Sequence, residues 1–238
     1  MSFKEIIGRA RNENRTVLSE IESKQILQEA GIDCTETRLA RTGEEAETLA
    51  DAFGYPVVLK ISSRDITHKS DAGGVRVNLK NRVEVQAAYE EILKSALKKF
   101  PGAQIEGVSV QRMARAGIEV IMGMTRDPKF GPVLMFGLGG VLVEVLKDVS
   151  FGIAPLEAGD AREMIDGIKG RKLLDGYRAQ DAADKARLEQ MLLRLSAFTD
   201  GVDEVAEIDM NPVFARDDGA VVVDARIILT AGAGALQS

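Results

Sequence analysis

The spacing of apolar and polar residues along the chain predicts helices that alternate with short strands. Residues 19–30 (SEIESKQILQEA) have helical spacing, with Ser19 and Glu22 placed as a capping box and Gly31 as a stop signal. Further helices are predicted at residues 42–53, 83–98, 161–167 and 182–198. These segments place long amphipathic helices throughout the chain.

Strands are predicted where apolar residues alternate or run together between turn signals. They fall at residues 37–40, 57–61, 75–79, 107–113, 119–124, 133–140, 141–146, 205–210 and 221–225. Short turns such as residues 127–131 (DPKFG) and 216–219 (RDDG) join several of them, which favours antiparallel pairing. The pattern predicts an α+β fold of two lobes with mostly antiparallel sheets. The small lobe is expected at residues 20–106 and the large lobe at residues 107–238.

Composition narrows the possible functions. The chain has 238 residues, a formal net charge of −6 and no basic block, which argues against nucleic acid as a main partner. Cys34 and His68 are the only cysteine and histidine, so an internal disulfide and a thiolate or imidazole metal cluster are excluded. Any metal should be a hard ion such as Mg²⁺. No secretory signal or membrane-spanning apolar run occurs, so a cytoplasmic location is expected.

A lysine and a glycine pair form the first candidate site. Lys60 lies within the apolar residues 57–61, where a buried ammonium needs an anion or access to water. An edge-strand lysine that reaches solvent is the alternative. Gly73 and Gly74 end the polar residues 65–75, and two glycines let backbone N–H groups approach a phosphate. A plain turn is the alternative for the pair.

The single histidine lies in the same loop. Imidazole is a good phosphoryl acceptor because it is nucleophilic and partly neutral near neutral pH. On the local sequence alone, a lone histidine such as His68 is more often an ordinary loop or core residue. Its setting among Asp65, Lys69, Asp71 and two glycines moves the balance only part of the way towards a function.

A third group of residues carries oxygen ligands. Glu207, Asp209 and Asn211 share one face of an extended strand, which suits Mg²⁺ and phosphate better than a core. The turn at residues 216–219 would bring Asp224 back towards Asn211 on a returning strand. A solvent-facing edge strand is the alternative.

Weaker signals suggest where a nucleotide base and ribose would bind. The strand that ends at Gln111 and Met113 could present backbone groups to an adenine, and Glu119 could reach ribose hydroxyls. Residues 137–140 (GLGG) are rich in glycine but match neither the Walker A motif nor the dinucleotide-binding spacing. No serine nucleophile elbow occurs.

Three segments together resemble a known family. Residues 65–75 (DITHKSDAGGV), 126–140 (RDPKFGPVLMFGLGG) and 207–212 (EIDMNP) resemble the ATP-grasp (β) subunit of ADP-forming acyl-CoA synthetases, also called NDP-forming acetyl-CoA synthetases. The resemblance covers nearly the whole chain, and the β subunit of succinyl-CoA synthetase is a more distant match. It implies an ATP-grasp fold and the interconversion of acyl-CoA, ADP and phosphate with a carboxylic acid, CoA and ATP.

The resemblance also implies roles for single residues. His68 would relay the phosphoryl group, and Asp209 would orient and stabilise the phosphorylated imidazole. The other implied roles are phosphate binding by Lys60, Lys24 and Arg126, ribose binding by Glu119, and Mg²⁺ binding by Asn211 and Asp224.

A partner is implied as well. The chain has no CoA-binding domain and no second histidine, so we expect a separate CoA-binding α subunit, two of each subunit, and ATP or ADP with Mg²⁺ as cofactors. One alternative is an ATP-grasp ligase that joins a carboxylate to an amine through a free acyl phosphate. Another is a regulatory subunit that only senses nucleotide. Replacement of His68 distinguishes the first alternative, because such a ligase would not need that residue.

Overall fold

The computed structural model describes residues 1–66, 69–140, 148–177 and 181–231. In chain order its helices and strands are α1 (Phe3–Asn12), α2 (Glu20–Glu29), β1 (Thr37–Ala40), α3 (Gly43–Phe53), β2 (Val57–Ser63), β3 (Val75–Leu79), α4 (Arg82–Lys99), β4 (Ile105–Arg112), β5 (Ile118–Asp127), β6 (Gly131–Leu138), β7 (Val149–Ile153), α5 (Ala158–Gly167), a short 3-10 helix (Lys169–Leu173), α6 (Lys185–Asp200), β8 (Val205–Arg216), β9 (Gly219–Val222) and β10 (Ala225–Leu229). The order mixes helices with antiparallel strands, as predicted.

Internal contacts divide the chain into two compact units. The inserted unit is Thr35–Ala114, and the main unit combines Met1–Cys34 with Arg115–Ser238. This division differs from the predicted lobes in two ways. The predicted boundary at residue 107 falls inside β4, whose pairing with β1 and β2 keeps it in the inserted unit. Helix α2 belongs to the main unit because it packs against β10.

The inserted unit is a four-stranded sheet with helices on one face. Its strand order is β1-β4-β2-β3, and every pair is antiparallel. Apolar residues of β2 and β4, such as Leu59, Ile61 and Val110, pack against α3 and α4 to form its core. The residues on the opposite face of β2 and β4 do not join this core.

Capping side chains set the starts of the two helices in this unit. Thr42 Oγ1 accepts the N–H of Glu45 at 3.1 Å, and Asn81 Oδ1 accepts the N–H of Glu84 at 3.0 Å. Each bond satisfies one backbone donor that has no partner inside the helix. The predicted helices at residues 42–53 and 83–98 are confirmed to within one residue at each end.

The main unit contains a six-stranded antiparallel sheet. Its main path runs β10-β8-β5-β6-β7, and β9 pairs with β8 outside that path. One face carries buried residues such as Met122, Phe136 and Ile208, which join the core formed with α1, α2, α5 and α6. Among the described residues, no helix is both long and apolar enough to cross a membrane.

An ion pair fastens the predicted capping box at the start of α2. Ser19 Oγ accepts the N–H of Glu22 at 3.2 Å, and the Glu22 carboxylate accepts the N–H of Ser19 at 2.9 Å. Arg15 also donates two hydrogen bonds of 2.9 Å to the same carboxylate. Burial opposes ionisation, but the bonds from Arg15 and Ser19 outweigh it and lower the pKa of Glu22 to about 2.

Several elements differ from the sequence prediction. Helix α1 was not predicted because charged residues interrupt its short apolar stretches, yet it buries Ile6, Ile7 and Ala10 on one face. Strand β7 was also missed. The turn at residues 216–219 is confirmed, but the predicted strand 221–225 is two strands, β9 and β10, with a break at residues 223–224. The predicted strand at residues 141–146 lies outside the described residues.

Candidate functional site

Lys60 lies on the polar face of the sheet in the inserted unit. It pairs with Ser109 on β4 and with Val75 on β3, so β2 is a central strand. Its side chain is 5% exposed, and Ser109 and Gln111 on the same face are buried as well. The alternative of an edge-strand lysine that reaches water is therefore wrong. A buried ammonium on a polar face is suited to hold an anion.

Gln111 and Met113 have hydrogen-bond partners within the inserted unit. Gln111 Oε1 accepts the hydroxyl of Thr37 at 3.3 Å and that of Thr35 at 3.4 Å. The N–H of Met113 donates to the carbonyl of Pro56 at 3.0 Å. That amide therefore closes the end of β4 in this arrangement and is not a donor to an adenine, which corrects part of the predicted role.

The glycine pair closes a tight turn. Gly73 N–H donates to the Ser70 carbonyl at 2.9 Å, and Gly74 N–H donates to the Lys69 carbonyl at 2.8 Å. Both N–H groups are therefore used inside the loop in this arrangement, and a role for them in binding phosphate stays a prediction. Gly73 has a φ of +68°, which favours glycine. A Cβ at Gly74 would lie 2.5 Å from Ile61 Cγ2, so close packing requires glycine there.

His68 lies outside the described residues. The structure nevertheless describes both flanks of the loop that carries it. Ile66 on one side and Ala72 on the other are buried. The Gly74 carbonyl accepts the N–H of Ile61 at 2.7 Å, which returns the chain to the sheet.

In the main unit, β8 carries the predicted acidic residues. Asp209 lies opposite Gly123 on β5 and Arg226 on β10, and Glu207 accepts a hydrogen bond of 2.9 Å from Arg226 Nη2. Ile208 and Met210 between and beyond them are buried, which confirms that Glu207 and Asp209 share the face away from the core.

An irregularity in β8 brings Asn211 next to Asp224. The pairing of β5 with β8 shifts between Val120 and Met122, and both Met210 and Val213 face the core. Asn211 therefore lies at the bulge, and its N–H donates to the Asp224 carbonyl at 3.2 Å. The predicted neighbours do meet, although Asp224 occupies the break between β9 and β10 and not a returning strand.

The electrostatics of this group centre on Asp209. Burial raises the pKa of Asp209 above its ordinary value, the positive charge of Arg226 opposes the rise, and Glu207 and Asp224 add to it. Arg226 Nε is buried and has no hydrogen-bond partner among the described residues. Arg226 was not singled out from the sequence. Its signal there is a spacing of two residues from Asp224, which is the spacing of residues on one face of an extended chain.

The side chains of Asn211 and Asp224 are of the chemical type that binds Mg²⁺. An amide oxygen at Asn211 and a carboxylate at Asp224 are the hard oxygen ligands that this ion prefers. The described ranges contain no group of three or more His, Cys, Asp or Glu side chains that could hold a metal alone. The pair fits an ion that takes its remaining ligands from phosphate and water.

Glu119 lies beside two glycines at the end of β6. Its backbone carbonyl accepts the N–H of Gly139 at 2.7 Å. A Cβ at Gly140 would lie 3.0 Å from Glu119 Oε2, and Gly140 has a φ of +63°. The exposed carboxylate therefore lies beside glycines that place no side chain of their own against it.

Two predicted phosphate contacts have structural roles instead. Arg126 donates to the carbonyls of Thr199 and Val202 at 2.8 and 2.9 Å and to that of Val205 at 3.0 Å, so it fastens the end of α6 to β8. Lys24 forms a buried ion pair of 2.8 Å with Glu20 one turn earlier on α2. The guanidinium of Arg126 is therefore occupied within the main unit, which corrects its predicted role.

Comparison with known proteins agrees with this arrangement. Residues 9–229 match the family model of the ATP-grasp domain. The chain is 46% identical over 226 residues to the acetate–CoA ligase (ADP-forming) I subunit beta of Pyrococcus furiosus, which covers 95% of this chain and 97% of the relative. It is 42% identical to the 4-hydroxybutyrate–CoA ligase (ADP-forming) of Nitrosopumilus maritimus over 94% of this chain, but spans only 32% of that relative.

Solved structures of one relative are similar over almost the whole chain. The acetyl-coenzyme A synthetase 1 of Ca. Korarchaeum cryptofilum in complex with coenzyme A, Ca-AMPCP and HgCl⁺ has a TM-score of 0.94 and 45% identity over 95% of this chain and 99% of that one. Its complex with coenzyme A and Mg-AMPPCP has a TM-score of 0.85 and 42% identity over 96% and 100%. That second structure is described as having its phosphohistidine segment pointing towards the nucleotide-binding site.

Proposed function

Because the chain belongs to the ATP-grasp family and, within it, to the β subunits of ADP-forming acetate–CoA ligases, we propose that it carries out the nucleotide half of that reaction through His68. The enzyme class is an acid–thiol ligase. The half-reaction passes a phosphoryl group between a phosphohistidine and ADP, which yields ATP in one direction and consumes it in the other. In the ATP-forming direction, the bond from phosphorus to the imidazole nitrogen breaks as a bond to the terminal ADP oxygen forms.

One observation carries this proposal more than any other. The hydrogen bond from Asn211 N–H to the Asp224 carbonyl brings the backbones of an amide residue and a carboxylate residue together, near Asp209 and Arg226. Phosphoryl transfer depends on positioning and on neutralised charge more than on a strong base. A pair of hard oxygen ligands beside an acid and a guanidinium meets that need.

The residues of each unit would then have separate tasks. Asn211 and Asp224 would hold Mg²⁺, which when bound neutralises phosphate charge and orients the phosphates. Lys60 would bind the nucleotide phosphates with its buried ammonium. Glu119 would accept hydrogen bonds from ribose hydroxyls. Asp209 would accept a hydrogen bond from the imidazole of His68 and stabilise its positive charge.

A separate subunit would supply the CoA chemistry. The Pyrococcus relative of nearly the same length is named as a subunit, whereas the Nitrosopumilus relative is a chain about three times as long. This supports an arrangement in which parts of the enzyme that lie on one chain in some relatives are divided between two chains here. We propose a CoA-binding α subunit as the partner, with two copies of each subunit in the complex.

Labelling with γ-³²P-ATP and Mg²⁺ in the complete complex tests the proposal. The wild-type chain should acquire a label that is labile to acid and stable to alkali, as a phosphohistidine is, and the His68→Ala variant should not. Binding of ATP should be retained in the variant, which shows that its site is intact. A carboxylate–amine ligase or a nucleotide sensor would leave both chains unlabelled, and a label that persists in the variant would place the phosphoryl group on another residue. Either result would reject the relay.

A further inference from the structure

Helix α4 holds the segment that follows His68. Lys99, in the last turn of α4, donates from Nζ to the carbonyl of Asp71. Ser95, one turn earlier, lies against Gly73, where an added Cβ would be 3.5 Å from Ser95 Cβ. Ala72 between these contacts is fully buried. Residues 71–73 therefore pack against one side of α4.

Arg76 holds the same segment from the sheet side. Its Nη1 donates to the carbonyls of Gly73 and Val75, both at 2.9 Å, and its Nε donates to Glu91 of α4 at 3.1 Å. The guanidinium thus connects the carbonyls of Gly73 and Val75 with the helix. Planar, charged groups that bind in this way restrict the backbone more than a single neutral bond would.

The segment that precedes His68 is also held. The Asp65 carboxylate accepts the N–H of Gln104 at 2.6 Å, and Ser63 Oγ donates to the Gln104 carbonyl at 2.8 Å. Ile66, the last described residue before the histidine, is 3% exposed. Residues 63–66 are therefore docked on the residue that precedes β4.

These contacts limit where a side chain at position 68 can go. Only two residues separate Ile66 from Lys69, and a chain reaches at most about 3.5 Å per residue. As long as both flanks stay docked, the main chain at position 68 can lie no further from them than this reach allows. A phosphoryl group is transferred only when its acceptor lies within contact distance and in line, so a small displacement of the flanks would slow the transfer strongly.

We propose that Lys99 and Arg76 are positioning residues for phosphoryl transfer at His68. They would act through the main chain and not on the reacting atoms: Lys99 holds the Asp71 carbonyl, and Arg76 holds those of Gly73 and Val75. The inference rests on the proposed function, since it assumes that His68 is the phosphoryl acceptor. It assigns a role in the reaction to two cations that the resemblance to the family does not single out.

Single-turnover phosphorylation of the complete complex by γ-³²P-ATP tests this role. Lys99→Ala should lower the rate of His68 labelling by about 10-fold, because a loosened flank presents the imidazole less often in the reactive position. The ATP concentration at half-maximal rate should stay within about twofold of wild type, because the contact is not to the nucleotide. Arg76→Gln should show the same pattern, and Lys99→Arg should recover most of the rate because it retains a cation of similar length.

Lys98→Ala is the matched control, because Lys98 is exposed in the same helical turn and its loss changes the charge equally. A Lys99→Ala rate equal to that of Lys98→Ala, or a loss explained by weaker ATP binding, overturns the positioning role. So does a faster rate, which would mean that the contact restrains the loop. Thermal unfolding of each variant separates the two kinds of defect. A positioning defect lowers the labelling rate at an unchanged unfolding midpoint, whereas a folding defect lowers both, and Lys99→Arg should restore whatever Lys99→Ala loses. A wild-type complex that takes no label rejects the proposed function itself, whereas a labelled wild type with unaffected variants rejects only this inference.

Discussion

Substitution of the two loop glycines separates their structural role from a role in phosphate binding. In Gly74→Ala the new Cβ would lie 2.5 Å from Ile61 Cγ2 and 3.0 Å from the Lys69 carbonyl oxygen. Ile61 is fully buried, and the Lys69 carbonyl is held by the Gly74 N–H itself, so neither can move away freely. We expect the free energy of unfolding to fall by about 2 kcal/mol, as is typical of overpacking in a filled site.

Gly73→Ala provides the matched comparison. Its Cβ would meet nothing closer than Ser95 Cβ at 3.5 Å, so space is available there. The loss should come only from the positive φ, and about 1 kcal/mol is expected. Urea unfolding measures both variants, and the denaturant slope should not change because the surface exposed on unfolding is nearly the same in the variants and the wild type.

A double-mutant cycle identifies the cause of the larger loss. Ile61→Ala alone removes a buried side chain and should destabilise the protein by about 2–5 kcal/mol. When Ile61→Ala is combined with Gly74→Ala, the missing Cγ2 relieves part of the clash. The stability lost by the double variant should therefore be smaller than the sum of the two single losses by at least about 1 kcal/mol. Additive losses would refute the assignment of the clash to Ile61.

Calorimetric titration with ATP and Mg²⁺ then tests the phosphate cradle directly. Because both glycine N–H groups donate inside the loop, affinity should stay within about twofold of wild type in each variant. If the N–H groups left the turn to bind phosphate, Gly74→Ala would weaken binding by about 10-fold or more and would scarcely change stability. That result would refute our interpretation of the turn and support the predicted role in binding phosphate.

Three further predictions concern single charged residues. Arg126→Met should destabilise the protein by about 2–3 kcal/mol in urea, since three carbonyls lose a charged donor, and should leave ATP affinity unchanged. Glu119→Gln should weaken ATP binding about 10-fold by calorimetry but keep the wild-type unfolding midpoint, because the side chain is exposed. Glu22→Gln should cost about 2 kcal/mol at pH 7. A pKa lowered to about 2 gives stability that is complete above the ordinary value of about 4.5 and is lost as the pH falls towards 2, so the difference in unfolding free energy from wild type should shrink on acidification. A constant difference from pH 7 to pH 3 would contradict this assignment.

Local signals in the sequence predicted the parts of the fold that local physics decides. Ser19 with Glu22, Thr42 and Asn81 all cap helices where the capping motif places them, because the bonds form within one turn. The turn at residues 216–219 joins β8 to β9 for the same reason. Helix α1 escaped because only one narrow face is apolar and the rest of its surface is charged.

Contacts that only the folded chain forms decide the roles that the local sequence leaves open. Arg126 looked available for phosphate because its own segment gives no acceptor, but the carbonyl of Thr199 lies 73 residues further along the chain. The two loop glycines looked like a phosphate cradle because their N–H acceptors lie in the same loop and depend on how the chain turns. For Lys60 the sequence left burial and an edge-strand position open, and the pairing of β2 with both β3 and β4 decides for burial.

The irregular positions of the main sheet bring together Asn211 and Asp224, the two residues proposed to hold Mg²⁺. On a regular strand a residue beside Met210 would pair across to β5 or β10, and its backbone would be fixed by the ladder. The register shift opposite Val120 and Met122 frees Asn211 from that ladder, while Val213 returns to the core and keeps β8 continuous. Asp224 occupies the matching break between β9 and β10, and its carbonyl takes the Asn211 N–H that the shift leaves without a cross-strand partner. Each interruption thus provides a hydrogen-bond partner for the backbone of the other, so that the two proposed ligand residues lie next to each other and the hydrogen bond between their backbones is kept.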